Sequence, residues 1–346
     1  MASNTAATQN HPKRVLITGG AGFIGSHLVD RHRAMGDEIV VIDNCSTGRA
    51  QNLDHHINDI ELISADLNTG LAELASRPGD AASKTGGCFD LIYHLAAAVG
   101  VDLVLADPIG SIRTNIMQTD ALLEFAVKHG SPPTFMASTS EVYGKPGVAV
   151  FSEEDDSVYG PTSITRWSYA HTKAIDEYLS MGYMKQYGLP VVVGRFFNTV
   201  GPRQIGNYGM VLPRFVQSAM GGEPLRVFGD GKQSRCFCDV RDVVEALPRM
   251  LACEAAHGQV MNIGSDRSIS IIDLARLVIR QLGSDSKIEM VEYSDAYPAG
   301  FEDLRHRKPD LSKLRSYIGF EHDYTLEQTI KDMAAHFSRV SGGTPC

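Results

Sequence analysis

The glycine-rich stretch near the N-terminus constrains the fold more than any other part of the sequence. "RVLITGGAGFIGSHLVDRHRAMGDEIVVIDN" reads as a strand, a glycine turn, a helix and a second strand, over the roughly thirty residues that a βαβ unit needs. Gly20, Gly22 and Gly25 fit GxGxxG, and with Gly19 as the first glycine the variant GxxGxxG is also satisfied. Either set lets the backbone approach a pyrophosphate at the helix N-terminus. The stretch therefore predicts a dinucleotide-binding site.

A carboxylate at the end of the second predicted strand indicates which dinucleotide is bound. Asp43 stands about twenty residues after the glycine turn, where an acidic residue accepts from the ribose 2′-hydroxyl and repels a 2′-phosphate. We therefore expect NAD rather than NADP. The alternative is a structural turn in which Asp43 only caps the backbone. Further cofactor contacts are expected around these two features, from Phe23, Ile24, Asn44, Ser46, Thr47 and Gly48.

Two later apolar segments are also predicted strands, and both end in small or polar residues. They are "IELISADL" at 60–67 and "DLIYHLAAA" at 90–98. Ligands of open α/β sheets bind at the carboxyl ends of the strands. We expect Asp66 and Leu67 to bracket the adenine and Ala96 to lie beneath the nucleotide. The complete set of contacts expected from these strand ends is Asp66, Leu67, Leu95, Ala96 and Ala97.

A helix further along the chain carries the candidate chemistry. "RWSYAHTKAIDEY" places Tyr169 and Lys173 four residues apart, with Arg166 three residues before the tyrosine, so the three side chains share one helical face. A tyrosine can take a proton from a sugar alcohol if a lysine lowers its pKa from the usual value of about 10. The alternative is an aromatic side chain packed inward with its cations in water.

Hydroxyl groups for the same site are expected from "TFMASTSEVYG" at 134–144, a predicted strand that ends in Ser138, Thr139, Ser140 and Glu141. A hydroxyl that hydrogen-bonds the sugar alcohol completes a hydride-transfer set with the tyrosine and the lysine. We expect Ser138 to contact the cofactor. Asn115, at the start of another predicted helix, either caps that helix or contacts the catalytic lysine.

Charge and cysteine usage exclude several classes of function. The net charge is -9 with no basic block, which argues against nucleic-acid binding. No apolar run approaches the length of a membrane span. The six cysteines contain no CxxC pair, so neither a zinc site nor a disulfide framework is indicated. We expect a cytoplasmic protein without a metal site.

Several motifs together resemble those of one family, the extended short-chain dehydrogenases that act on nucleotide sugars. They are "TGGAGFIG", "STSEVYG", "YAHTK", "RFFNTVGPRQ", "QSRCFCDVRDV" and "HRKPD", spread over residues 13–335. The resemblance implies that Thr139, Tyr169 and Lys173 are a catalytic triad. It is strongest to the UDP-glucuronate decarboxylases and the UDP-sugar 4-epimerases. One departure is that His171 and Thr172 stand where the decarboxylases usually carry an acidic residue and a glycine.

The resemblance also implies a UDP-sugar site in the second half of the chain. Asn198, Arg235 and Arg307 would hold the diphosphate region, which suits the planar and permanently charged guanidinium groups. The alternative for either arginine alone is a surface salt bridge. Arg166 and Arg203 compete as anchors for the substrate carboxylate. Val211 is expected to bind the substrate, and "PLRVFGDG", which contains Val227, is expected to run beside the uracil.

The predicted architecture is a doubly wound parallel sheet with a smaller, partly interleaved C-terminal domain. A disordered tail is expected at 1–12 and an NAD-binding Rossmann domain at 13–197. A domain that mainly binds the UDP-sugar follows at 198–346, with segments that return to the Rossmann domain. Family resemblance implies a homodimer through the helices near 116–129 and 169–186.

The predicted reaction removes hydride from C4 of the sugar while Tyr169 takes the C4 hydroxyl proton. With UDP-glucuronate the resulting 4-ketone is β to the carboxylate, so carbon dioxide can leave and a UDP-pentose results. Glu141 resembles a decarboxylase glutamate that faces C5 and C6 of the sugar; alternatively it only caps a turn. A 4-epimerase is the alternative function, and a binding protein without catalysis is a third. A 4,6-dehydratase is disfavoured because Ser140 replaces its acidic aspartate.

Overall fold

A parallel sheet of seven strands forms the centre of the computed structural model, with the order β12-β7-β5-β4-β1-β2-β3. The structure describes residues 11–77, 89–97, 107–165, 167–206, 210–292 and 305–341. The strands of the central sheet are β1 (Arg14–Thr18), β2 (Glu38–Ile42), β3 (Glu61–Ile63), β4 (Leu91–His94), β5 (Thr134–Thr139), β7 (Val191–Phe196) and β12 (Val260–Ile263). The doubly wound parallel sheet is therefore confirmed. Residues 1–10 of the predicted tail lie outside the described residues.

Helices cover both faces of this sheet, and the strands are apolar because both of their faces are buried. Along β1, Val15 and Ile17 face one core cluster and Leu16 faces the other, as the alternation of a strand requires. The helices are α1 (Phe23–Ala34), α2 (Leu67–Ala75), α3 (Pro108–Lys128), α4 (Trp167–Tyr187), α5 (Val211–Gly221), α6 (Val240–Ala252), α7 (Ile271–Leu282), α8 (Ser312–Ile318) and α9 (Leu326–Ser341).

A second, smaller region is formed mostly by the later part of the chain. Helices α5, α7 and α9 enclose a separate apolar cluster. The smaller strands are β6 (Val150–Phe151), β8 (Thr199–Val200), β9 (Leu225–Phe228), β10 (Ser234–Cys236), β11 (Cys238–Asp239), β13 (Ser268–Ser270), β14 (Ile288–Val291) and β15 (His306–Pro309). Four of them form a sheet in the order β13-β10-β15-β6, and the others pair as β11-β8 and β14-β9.

The two regions are interleaved along the chain. Strand β12 pairs with β7 in the central sheet although it follows most of the second region in sequence. Helix α6 contributes Val243 and Leu247 to the same apolar cluster as Leu28 of α1. The predicted domain boundary between residues 197 and 198 stays a prediction.

The strand order determines where a ligand can enter. The chain runs from β1 to β2 and β3 on one side and to β4 and β5 on the other, so the order reverses beside β1. A crevice opens at the carboxyl ends of the strands at such a switch point. The glycine turn after β1 and the segments after β4 and β5 all lie at this edge. None of the helices that the structure describes combines the length and apolar character needed to cross a membrane.

Candidate active site

The glycine turn after β1 brings three backbone segments into close contact. Gly19 has a φ of +74°, and a Cβ there would lie 2.7 Å from the backbone nitrogen of Ala96. Gly22 is the N-cap of α1, and among the described residues no side chain caps that helix. The backbone N–H groups of the first turn, at Phe23 and Ile24, are therefore open to an anion. These features fit a dinucleotide pyrophosphate.

Asp43 is held rigidly against this turn. Its Oδ2 accepts a hydrogen bond from the backbone N–H of Ala21 at 2.8 Å, and its Oδ1 accepts from that of Cys45 at 2.8 Å. Each carboxylate oxygen keeps a second lone pair. The carboxylate can therefore also accept from a ribose hydroxyl without moving. Its geometry fits the sugar next to the adenine of a dinucleotide.

The loop after β2 is tied to the start of α2. Asn44 donates from Nδ2 to Oδ1 of Asp66 at 2.6 Å, and its own Oδ1 accepts from the backbone N–H of Ser46 at 3.0 Å. The side chain of Leu67 packs in the core beneath the sheet. Only the main-chain atoms of Leu67 can therefore contact the adenine. Gly48 packs against Ala21, where a Cβ would lie 2.9 Å from the carbonyl oxygen.

The segment after β4 lies beside the glycine turn, and Leu95, Ala96 and Ala97 are half-buried; their cofactor contacts stay a prediction. Leu95 donates its backbone N–H to the carbonyl of Thr18 at 3.1 Å. His94 ends β4 and is fully enclosed, with Nδ1 2.7 Å from the Thr18 hydroxyl. Burial, and next the charge of Lys173, lower the pKa of His94 to about 3. It is a neutral core histidine.

Tyr169 and Lys173 lie on α4 at the carboxyl edge of the sheet. The tyrosine is half-buried. Burial, and then the charges of Glu141 and Asp176, raise the pKa of its phenol, whereas the sequence predicts that the lysine lowers it. Besides this burial, the lysine charge does not act on the phenol alone, because Lys173 donates from Nζ to Oδ2 of Asp176 at 2.7 Å and both side chains are only 3% exposed. A neighbouring carboxylate thus balances the ammonium charge.

Thr139 and Glu141 lie where β5 ends. The Thr139 hydroxyl caps the 3-10 helix Ser140–Tyr143 by accepting from the backbone N–H of Glu141 at 3.2 Å. The side chain of Glu141 reaches the small sheet. Its Oε1 lies 2.8 Å from Nη1 of Arg307 on β15, and both side chains are largely buried. A cation from the small sheet is therefore fixed at Glu141, and the charge of Glu141 acts on the candidate catalytic tyrosine.

The small sheet aligns two of the predicted substrate residues. Arg235 of β10 and Arg307 of β15 are direct partners in a parallel register. Like charges placed side by side repel unless carboxylates or bound anions lie between them. Asn198 donates from Nδ2 to the carbonyl of Cys236 at 3.1 Å. The linker between β7 and β8 is thereby fixed against β10.

Other predicted residues have structural partners or lie elsewhere. Ser138 donates its hydroxyl to Glu177. Arg203 donates from Nη2 to Oδ2 of Asp30 at 2.7 Å and lines a cavity of about 1050 Å³ with Arg49 and other side chains from 3-10 helix Ala50–His56, α5 and α9. Its predicted substrate role stays a prediction. Arg166 lies outside the described residues.

Three further predictions concern residues that structural elements now locate. Val211 begins α5. The side chain of Val227 is fully buried in the core of the second region, so a contact with the uracil is left to its main chain. The capping alternative for Asn115 is wrong, because α3 begins at Pro108 with Asp107 as its N-cap. Asn115 instead donates to the hydroxyl of Thr172 on α4 at 3.3 Å.

Sequence reasoning missed two charged groups below the site. Arg195 of β7 donates from Nε and Nη2 to both oxygens of Glu177, at 2.9 and 2.7 Å. This bidentate pair fixes α4 to the central sheet. The second group is Asp176, the partner of Lys173. The signal was the "KAIDE" run, in which two carboxylates follow the lysine on a helix that is otherwise buried on that side.

Comparison with known proteins gives a consistent result. Residues 15–264 match the model of the NAD dependent epimerase/dehydratase family. A UDP-N-acetyl-alpha-D-glucosaminuronate decarboxylase from Bacillus cytotoxicus is 40% identical over 95% of this chain and 98% of its own length. UDP-glucuronic acid decarboxylase 1 from Xenopus tropicalis is 35% identical over 94% of this chain and 72% of its own.

Solved structures share the fold over almost the whole chain. A UDP-glucuronic acid 4-epimerase from Bacillus cereus, in complex with UDP-glucuronic acid and NAD, superposes with a TM-score of 0.80 at 25% identity. The superposition covers 94% of this chain and 99% of that one.

Proposed function

This chain belongs to the NAD dependent epimerase/dehydratase family, and from this premise we propose that it decarboxylates UDP-glucuronate through a 4-keto intermediate. NAD is the cofactor. When bound, it supplies the hydride acceptor and donor for C4 of the sugar. The residues that would hold it are the glycine turn at its pyrophosphate, Asp43 at the adenosine ribose, and the segment after β4 beneath the nucleotide.

The first step would be proton removal at the C4 hydroxyl. Tyr169 would accept this proton, and the Thr139 hydroxyl would orient the sugar oxygen by a hydrogen bond. Lys173 would keep a positive charge next to the phenolate and favour its formation. Because burial raises the pKa of the phenol, this cation is needed for the tyrosine to work as a base near neutral pH.

The single observation that carries decarboxylation is the ion pair between Glu141 and Arg307. The guanidinium of Arg307 can receive the C6 carboxylate of the substrate in a bidentate contact. Without this cation, Glu141 would repel that carboxylate. This role for Arg307 differs from the predicted diphosphate contact, which Arg235 would then make together with Asn198.

The 4-ketone is β to the C6 carboxylate, which sets the second step. The C5–C6 bond breaks, carbon dioxide leaves, and the electron pair moves into the enolate of C4 and C5. The protonated Tyr169 would donate a hydrogen bond to the enolate oxygen. Glu141 would take up a proton from water and pass it to C5, while the Arg307 guanidinium keeps its protons. The final step reverses the first and gives a UDP-pentose of the UDP-xylose type.

Two alternatives share this site. A 4-epimerase would present the other face of the ketone to the cofactor, and the 25% identity to the 4-epimerase of Bacillus cereus supports it less well than the decarboxylase relatives support decarboxylation. The second is UDP-N-acetylglucosaminuronate as substrate, favoured by the 40% identical relative. Its C4 hydroxyl and C6 carboxylate would meet the same residues, because the two sugars differ at C2.

A homodimer through α3 and α4 is part of the proposal. These helices pack against each other and expose apolar side chains, with Ile109 64% and Met117 59% exposed on α3 and Ile175 41% and Tyr178 80% exposed on α4. Exposed apolar side chains on adjacent helices favour burial against a second copy of the chain. The cytoplasmic location stays a prediction.

A test of the function is to denature the purified protein and assay the supernatant for released NAD. The native protein is then incubated, with no added cofactor, with UDP-glucuronate and in parallel with UDP-N-acetylglucosaminuronate. Release of NAD on denaturation, together with carbon dioxide from either UDP-sugar, supports the proposal. The UDP-sugar that loses carbon dioxide faster is the preferred substrate. Binding of both sugars without any change in them would contradict it.

A further inference from the structure

A carboxylate that the proposed mechanism does not use lies against the catalytic lysine. Asp176 accepts a hydrogen bond from Nζ of Lys173 at 2.7 Å. The two residues are three apart on α4, and each side chain is only 3% exposed. The pair is therefore a buried ion pair on the helix that also carries Tyr169.

This pairing has two physical consequences. The hydrogen bond to Asp176 holds the Lys173 ammonium at one place inside the protein, with the partner that a buried charge requires. The same negative charge opposes the effect of the lysine on its other neighbour. Lys173 alone would favour the phenolate of Tyr169, whereas Asp176 is among the charges that raise the pKa of this phenol. The ion pair thus sets how strongly the lysine acts on the tyrosine.

We propose that Asp176 is a positioning residue that fixes the Lys173 ammonium in the site and limits how readily Tyr169 loses its proton. This inference rests on the proposed function, in which Tyr169 and Lys173 carry the proton transfer. Asp176 touches neither substrate nor cofactor. It acts through the lysine, and its effect should be strongest on steps in which the phenolate is formed.

Other charged groups around Tyr169 are either distant from the pair or already neutralised. Strand β5 brings no charged side chain, and on α3 the carboxylate of Asp120 accepts from Tyr183. The neutral side chains Thr119 and Asn115 come from the same helix. Also on α3, Arg113 is exposed and Glu124 pairs with Lys128 at the surface. Less exposed titratable groups on the packed elements include His94 on β4, Glu141 and Tyr143 on the 3-10 helix, His171 and Glu177 on α4, Arg195 on β7 and Arg307 on β15.

These groups do not replace Asp176. Glu141 pairs with Arg307, and Glu177 pairs with Arg195. His94 is neutral because burial lowers its pKa to about 3. Asp176 is therefore the carboxylate that balances Lys173 directly, and its removal should release the lysine charge toward Tyr169.

The test compares the ionised fraction of the Tyr169 phenol in wild-type and Asp176→Asn holoenzyme at one alkaline pH, about 10. Carbon-13 NMR of tyrosine-labelled protein measures this fraction. The Tyr169 signal of each protein is identified by comparison with the same protein carrying Tyr169→Phe, which lacks it. We expect the fraction to rise about tenfold in Asp176→Asn, the change that one unit of pKa produces while ionisation is small. An equal or smaller fraction, including none in either protein, overturns the inference.

Controls separate this effect from a structural one. Asp176→Glu keeps the negative charge, so the Tyr169 phenol should ionise in it as in the wild type. Asp176→Thr is a second neutral variant, for use if Asp176→Asn does not fold. Glu124→Gln removes an exposed carboxylate on α3 that pairs with Lys128, and it should change nothing. If the protein turns over no UDP-sugar, the proposed function fails while the NMR comparison still decides the role of Asp176.

If the protein does turn over UDP-sugar, the acid limb of the pH profile of kcat/KM should move to lower pH in Asp176→Asn, because the base is then the less basic phenolate.

Discussion

Arg307 Nη1 lies 2.8 Å from Oε1 of Glu141, which joins the small sheet to the carboxyl end of the central one. The two residues are far apart in sequence. The strand that carries Arg307 has no acidic residue, and the 3-10 helix that carries Glu141 has no basic residue. The pair brings a cation and a carboxylate to the C5 and C6 side of the proposed sugar position. In the proposed function, this pair is the feature that favours decarboxylation over 4-epimerisation.

Removal of either charge should therefore affect carbon dioxide release more than C4 oxidation. We expect Glu141→Gln and Arg307→Gln to slow release of carbon dioxide from UDP-glucuronate about 100-fold. C4 oxidation, followed by the absorbance of reduced dinucleotide, should fall less than about tenfold. Arg305→Ala removes a nearby arginine whose exposed side chain pairs with Asp230 and should leave both rates unchanged. Equal losses in both steps would assign the pair to binding alone.

Tyr169→Phe tests the proposed base. The substitution deletes one oxygen on a half-buried side chain, so the protein should fold and retain NAD and UDP-sugar. Turnover should drop at least about 1,000-fold, because general-base catalysis needs the hydroxyl. Steady-state assays and calorimetric binding measure the two effects. Tyr178→Phe is the matched control, because Tyr178 lies on the same helix and is 80% exposed. Near-normal turnover by Tyr169→Phe would show that Tyr169 is not the general base.

Asp43 should determine the choice between NAD and NADP. The carboxylate is fixed by two backbone N–H groups and cannot turn away from a 2′-phosphate. We expect at least about 100-fold tighter binding of NAD than of NADP to the apoprotein, because two negative charges would meet at close range. Asp43→Asn should narrow this ratio about tenfold or more. Asp59→Asn removes an exposed carboxylate and should leave the ratio of NAD to NADP affinity unchanged. Similar affinities of the wild type for the two dinucleotides would exclude Asp43 from this role.

The dimer can be tested on its apolar surface. Met117→Glu on α3 and Tyr178→Glu on α4 each place a charge on side chains that are 59% and 80% exposed. Both variants should run as monomers in analytical ultracentrifugation, since burial of an unpaired charge in an interface is unfavourable. Met290→Glu lies on β14 and should leave the mass unchanged. A wild type that sediments as a monomer would contradict the proposed interface.

The parts of the fold that local patterns encode could be predicted from the sequence. The glycine turn and apolar strands such as "VLIT" and "VVIDN" form where predicted, because spacing and hydrophobicity act within a few residues. Two further details of the structure had readable signals. Leu225 and Val227 alternate with Arg226, so period two places Val227 in the core. Asp107 and Pro108 mark the start of α3 better than Asn115 does.

The charge pairing could not be predicted, because it depends on packing between distant segments. Nothing near Glu141 indicates that Arg307 will reach it, and the register of β10 with β15 is what aligns Arg235 and Arg307. The pairing of Lys173 with Asp176 is local, but its burial depends on α3 and the central sheet packing around α4. A pattern of residue types therefore located the site, while the folded contacts determined its electrostatics.

Product identification by NMR after incubation with UDP-glucuronate tests the central claim most directly. The account predicts loss of the C6 carboxylate, release of one carbon dioxide per sugar, and a UDP-pentose of the UDP-xylose type, with no added cofactor. Quantitative conversion to UDP-galacturonate without carbon dioxide would contradict decarboxylation and identify the protein as a 4-epimerase.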